Sequence, residues 1–381
     1  MKKFHILILI FSLFSVTALY GQTWSPIVRL TWNSGYSSLP CIAKDSGNGL
    51  HVVWSDSSPG NYEIFYKKST DGGTSWSSIS RLCWNNYNST NPAVAIDLLT
   101  GIQVVWSEYR SGNVEIMHKR STNGGTSWSA LTRLTWSVEN SDFPSIASNS
   151  SYVHVVWQDS SPGNYEIFYK YSSDYGSTWS GLDRLTWNGG ASIYPRIAID
   201  TGYRIHLVWL DQTPGNNEIF YKRSTDGGST WSAVTRLTWN SGLSMYPVVT
   251  PDVNVGIHVV WANWTDDNHE IYHKYSPDSG ESWGPLRRLT WNSGNSHYPS
   301  VTMNANQIVH VTWVDESSGN SEIYHKSSSD RGTTWSGINR LTWNTGNSRG
   351  PSLTAFQGTD VHLVWWDRIN YNYEILYKNL K

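Results

Sequence analysis

Ser224-Thr-Asp226-Gly-Gly228-Ser-Thr-Trp231, running on into Arg236-Leu-Thr-Trp239, recurs along the chain with few changes. Arg-Leu-Thr-Trp starts at Arg29, Arg133, Arg184, Arg236, Arg288 and Arg340, and Arg-Leu-Cys-Trp starts at Arg81, so the step is 51 or 52 residues. Other landmarks keep this step. An apolar run ends in Trp54, Trp106, Trp157, Trp209, Trp261, Trp313 and Trp365, and the next run opens at Glu63, Glu115, Glu166, Glu218, Glu270, Glu322 and Glu374. A fixed period of this length marks one supersecondary unit that buries its faces only against its neighbours.

Each unit reads as four strands, which in the first complete copy lie at about 39–44, 50–56, 63–69 and 76–83. His-Val-Val-Trp and Glu-Ile-Phe-Tyr-Lys carry the β-branched and aromatic residues of strands, and clusters of Gly, Asn, Ser and Pro separate them. Seven four-stranded units predict an all-β, seven-bladed β-propeller. The seventh unit is split. Its third strand, Glu374 to Lys378, lies at the C-terminus, whereas its outer strand, Trp24 to Trp32, lies near the N-terminus. A clasp of these segments would close the ring and remove two open sheet edges. In that clasp Glu374 should face Arg29, as Glu63 should face Arg81 within one residue of register, each pair contributing about 0–1 kcal/mol where exposed.

The turn before the outer strand has the pattern Ser-x-Asp-x-Gly-x-Thr-Trp. It spans 69–76, 121–128, 172–179, 224–231, 276–283 and 328–335. In this pattern the sequence resembles the sialidase-like, or BNR (Asp-box) repeat, superfamily, across essentially the whole chain after residue 21. The acids Asp71, Asp174, Asp226, Asp278 and Asp330, with Asn123 in the second copy, are expected to hold turns by accepting backbone N–H bonds. The resemblance implies the fold more than a function, because the superfamily includes sialidases, other glycosidases, sorting receptors and non-catalytic binding proteins.

Residues 1–21 read as a secretory signal: Lys2 and Lys3 precede an apolar run from Phe4 to Val16, with small residues after it. The remainder, 22–381, is expected to be a single propeller domain that is secreted, periplasmic or at the cell surface, with no membrane span. Two of the 28 Lys and Arg lie in the signal, leaving 26 against 30 Asp and Glu, a net charge of −4. That balance speaks against a nucleic-acid partner, which requires a basic face. Cys41 and Cys83 fall on the inner and outer strands of one blade, roughly 14 Å apart by strand spacing, too far for a disulfide, so both should be free thiols. His51 and its counterparts recur singly without clustered ligands, so no metal site and no cofactor is expected. A monomer is expected.

The loops that follow the second and the outer strands share one face and carry the richest repeated chemistry. One reading is multivalent glycan recognition there, with Trp32, Trp187, Trp239, Trp264, Trp291 and Trp366 as stacking platforms and Ser37, Asp56, Asn61, Asp211, Asn216 and Asp315 as hydroxyl-binding groups. The other is that these polar residues only satisfy turn backbones. A flat face docking an extracellular protein is a further possibility. The resemblance also raises sialidase-like glycoside hydrolysis. Sialidases use three arginines, a Tyr–Glu nucleophile and an Asp acid/base, together with an Arg-Ile-Pro motif. Here Arg196, Arg204 and Arg368 precede Ile, and none is followed by Pro. The departures from the repeat, Arg196, Arg349 and Arg368 with Asp367, are the residues from which such a centre would have to be built.

Overall fold

Leu50-His-Val-Val-Trp-Ser-Asp56 is buried at every position, as a strand covered on both faces by neighbouring sheets must be. The same holds for its six counterparts up to their Trp, and those seven tryptophans are at most 1% exposed. The computed structural model describes residues 23–97, 101–110, 112–265, 268–355, 358–369 and 371–381. The expected signal segment lies outside them.

Seven four-stranded antiparallel sheets form the blades. Blade 1 comprises Ser37–Lys44, Leu50–Asp56, Glu63–Ser69 and Ser80–Arg81, in that order from the axis outward. The inner strands of all seven blades converge on one axial cavity. Cores form between blades: Val53, Ile64 and Tyr66 of blade 1 pack with Ile102, Val104 and Trp106 of blade 2. The same packing joins Val364, Ile375 and Tyr377 of the last blade to Ile42, Val52 and Trp54 of the first. The ring is therefore continuous.

The last blade contains Ser348–Thr354, Val361–Ile369, Asn372–Leu380 and, as its outer strand, Val28–Arg29. Val28 pairs with Tyr377 and Arg29 with Leu376, and Ser25 N donates to the Asn379 carbonyl at 2.7 Å. Trp24 meets the His325 ring edge-on at 5.3 Å. Trp76 meets Tyr377 in the same way at 5.1 Å, so Trp24 takes the place of the missing seventh Asp-box tryptophan.

Three expectations are corrected. The inner strand begins at Ser37, because Ser37 already pairs with Asp56. The outer strand is only Ser80–Arg81, since just after Trp76 the segment meets its neighbour at Ser77, whose N donates to the Lys68 carbonyl and whose Oγ accepts from Lys68 N. Arg81 sits opposite Phe65, two residues from Glu63, and reaches back diagonally to it at 3.0 Å. These pairs are not surface pairs: the glutamates are fully buried and also collect bonds from Asn61 and the Asn85 backbone.

In the Asp-box turn, the Asp71 carboxylate accepts from Ser75 N at 2.8 Å and from Ser75 Oγ at 2.6 Å. Asn123 accepts from Ser127 N with its carbonyl oxygen and donates its amide to Ser127 Oγ. Gly73 has φ +88°, and a Cβ there would lie 2.0 Å from the Tyr377 hydroxyl. The box is thus a lock between blades, its glycine and Trp76 both fitted against the preceding blade's Tyr377.

Candidate functional site

The repeated polar residues of the loop face point inward. Asp56 is fully buried and accepts from Ser37 Oγ at 2.6 Å, Asn33 Nδ2 at 2.6 Å, Trp54 Nε1 at 3.1 Å and Ser58 N at 2.9 Å. Asp211 and Asp315 repeat this pattern with Ser192 and Ser296. Asn61 and Asn216 spend their amide donors on carbonyls of the next loop and on the buried glutamate. As a correction to the hydroxyl-binding expectation, Ser37, Asp56, Asn61, Asp211, Asn216 and Asp315 are turn-holding groups: the carboxylates and serine hydroxyls bond to one another and to the turn, and the two asparagines spend their amide donors there.

The tryptophans of the Arg-Leu-Thr-Trp motif are placed differently. Trp32, Trp84, Trp136, Trp187, Trp239, Trp291 and Trp343 are each between 65% and 68% exposed. They stand at the outer end of each blade, with the preceding arginine and a lysine of the next blade close to each ring. Arg29 Cζ is 5.6 Å and Lys67 Nζ 5.5 Å from the Trp32 centroid. Lys67 also donates to the Leu30 carbonyl at 2.9 Å, and burial lowers its pKa. The outcome is seven equivalent aromatic platforms around the rim. Trp264 is 41% exposed and edge-on to His269. Trp366 is half-buried against Tyr373.

The second feature is the axial cavity of about 350 Å³. Each inner strand enters it through a bulge at an X-Pro step, seen as the register break between Ser38 and Cys41. The residue before proline is left-handed in all seven blades: Leu39, Asn91, Phe143, Tyr194, Tyr246, Tyr298 and Gly350 have φ between 50° and 56°. Only Gly350 adopts this without strain. Strain over-determined by its surroundings and gathered at one cavity points toward a site. Phe143, Tyr194, Tyr246 and Tyr298 form an aromatic arc, with centroids 4.8, 5.8 and 4.3 Å apart along it. One position inward, six blades carry Cys41, Ala93, Ser145, Val248, Ser300 and Ser352, and blade 4 carries Arg196.

The Glu316 carboxylate accepts from Asn295 at 2.9 Å and lies 3.4 Å from Nε2 of His297, the residue before the cavity-lining Tyr298. Burial works to raise the Glu316 pKa, but Asn295 and His297 outweigh it and the pKa is lowered. Arg349, whose charge acts on both, has a buried Nε with no partner among the described residues.

The set Arg196, Arg349, Arg368 and Asp367 does not assemble as a catalytic centre. Asp367 is fully buried and bonded to Asn344, Ser348 and Trp365, while Arg368 lies over Tyr371 at 5.7 Å. No group of three potential metal ligands occurs among the described residues, and no helix is long and apolar enough to cross a membrane. Sequence reasoning singled out Arg196 but missed the cavity; the signal was the X-Pro step with a bulky residue at X.

No family model and no curated protein matches the chain. Solved structures do. A protein of unknown function from Dyadobacter fermentans aligns with a TM-score of 0.64 at 11% identity, covering 95% of this chain and 100% of that one. The GH93 α-L-arabinofuranosidase of Fusarium graminearum gives 0.57 at 15%, covering 94% and 98%. The Hadza microbial sialidase Hz136 gives 0.54 at 14%, covering 91% of this chain and 66% of that one. These likenesses are of fold: the chain shares the architecture of these structures.

Proposed function

We propose that this is an exported, non-catalytic binding protein that recognises glycans multivalently through the rim tryptophans. The observation that carries this reading is the sevenfold set of aromatic rings left about two-thirds exposed at one position, each with an arginine and a lysine against it, as at Trp32. A tryptophan face stacks on the apolar face of a sugar ring. Seven weak sites at fixed spacing gain avidity on a polymer or coated surface that no single sugar provides. The carbohydrate-active neighbours are compatible with this reading. A glycan array on the mature chain tests it, together with Trp fluorescence during titration with the best polymer. Binding to polymers, weak binding of their monosaccharides and loss in a variant with four rim tryptophans replaced by Ala would support it. No binding across a broad panel would refute it, and capture of one envelope protein in its place would move the reading to protein docking.

A glycoside hydrolase is the second reading, favoured by the axial cavity, by the Glu316–His297 pair next in sequence to its Tyr298 wall and by glycosidases among the neighbours. Turnover of fluorogenic glycosides, abolished by Glu316→Gln, would establish it against the first.

A further inference from the structure

Arg196 is the single charged residue lining the axial cavity. It donates to the Pro195 carbonyl at 3.0 Å, and no acidic side chain lies within ion-pair distance of it among the described residues. The contrast within the protein is sharp: the arginine before each rim tryptophan has a buried glutamate. Cys41 and Tyr194, both neutral at pH 7, are the ionisable groups acting on Arg196, and burial lowers its pKa. A guanidinium has five donors. Half-buried beside an apolar wall and with one backbone carbonyl as its acceptor, Arg196 keeps donors that a bound anion would satisfy.

The rest of the lining states what the anion is attached to. It is mainly proline, aliphatic and aromatic, and it contains no carboxylate. Its polar groups are few and partly engaged. Ser145, Ser300 and Ser352 each accept a backbone N–H, Asn91 donates to Asp142, and Tyr246 donates to Tyr298. A polyol entering here would exchange its hydrogen bonds to water for few partners, whereas an apolar body would lose none. One cation matches one negative charge. At Gly350 the indole of Trp366 takes the place where the other blades set a side chain: a Cβ there would lie 2.6 Å from Trp366 Nε1, a buried donor without a partner among the described residues.

We propose that the axial cavity is a receptor for a single carboxylate carried on an apolar body, with Arg196 binding the carboxylate at depth and the proline and tyrosine wall enclosing the rest. The site is separate from the rim and stands whether or not the rim binds glycans. Two sources offer this chemistry: a free aryl or alkyl acid, and the C-terminus of a peptide with apolar last residues.

The test is calorimetric titration of the mature chain with 3-phenylpropionate, 3-phenylpropanamide, glucuronate, and a peptide ending in Leu-Phe as free acid and as amide. The acids should bind at least about tenfold more tightly than their amides, in keeping with a charge-assisted bond, and glucuronate should bind no better than the amides. Arg196→Met should abolish binding with the melting temperature retained, and Arg196→Lys should keep part of it. A peptide acid tighter than phenylpropionate identifies a chain end as the occupant; the reverse order identifies a small acid. Acid binding equal to amide binding, glucuronate binding as tight as phenylpropionate, binding that survives Arg196→Met, or no acid binding would each overturn the proposal. If Arg196→Met does not fold, alkylation of Cys41 on the cavity wall decides in the unaltered protein: protection by the acid and not by the amide supports the site, and equal rates refute it.

Discussion

The Arg29 guanidinium donates to the Glu374 carboxylate at 2.8 Å, joining the first described strand to the last. Glu374 is fully buried, burial raises its pKa, and Thr31 Oγ donates to its other oxygen. The same hydroxyl accepts Ile375 N–H at 2.9 Å. Thr31→Val keeps the shape and removes both bonds, leaving a buried carboxylate oxygen and a backbone donor unpaired. We expect a loss of about 2–4 kcal/mol in global stability, read by denaturant unfolding. A change below about 0.5 kcal/mol would mean that the clasp does not limit the stability of the ring.

Blade 5 carries a defect that five of its siblings repair. Asn263 stands where the other blades have an acid; it accepts from Ser244, and Trp261 Nε1 is buried without a partner among the described residues. In blade 4 the corresponding Trp209 Nε1 donates to Asp211 at 2.9 Å. Asn263→Asp should therefore stabilise by about 1 kcal/mol through a charge-assisted acceptor, and Asp211→Asn should destabilise by about 1–3 kcal/mol. Thermal melts of the two variants should move in opposite directions.

Acid should unfold the protein through its histidines. Burial depresses His258, His325 and His118 to about 3, His310 to about 4, and His273 well below its ordinary value. A base with a lowered folded pKa contributes stability in full above its unfolded value, about 6.5. That contribution is lost as pH falls from there toward the folded values. Blades 5 and 6 bury His258–His273 and His310–His325 pairs at 2.9 and 3.1 Å, where four of the others pair His with Tyr, as in His206–Tyr221 at 2.8 Å, and blade 2 pairs His118 with Gln103. The double variant His273→Tyr, His325→Tyr should lower the midpoint of acid unfolding. An unchanged midpoint would exclude these pairs as its cause.

At the rim, stability and binding should separate. Trp239 is largely exposed and interacts with Arg236 and Lys274 across its ring, so Trp239→Ala should cost less than about 1 kcal/mol. Successive replacements around the ring should weaken polymer binding more than proportionally while melting changes little. Parallel losses of both would assign the rim a packing role.

The blade number, the strand order and the split last blade were legible in the sequence because each repeat meets the same surroundings, so residues that face a neighbouring blade recur at one spacing. Repetition hides function for the same reason. Asp56 that holds a turn and Trp32 that stands in solvent recur equally often, and only the fold shows that one is sealed under four hydrogen bonds while the other is open. The shortness of the outer strand and the diagonal reach of Arg81 to Glu63 also came from tertiary packing, since a period does not set register within a sheet. The axial cavity belongs wholly to the tertiary structure. Leu39, Tyr194 and Gly350 are far apart in the chain and share only a place before proline, and closing seven bulged strands around an axis brings them to one mouth above Arg196. Local sequence determines which strands form and in what order; which residues meet across the axis is set by the closure of the ring, a property of all seven blades together.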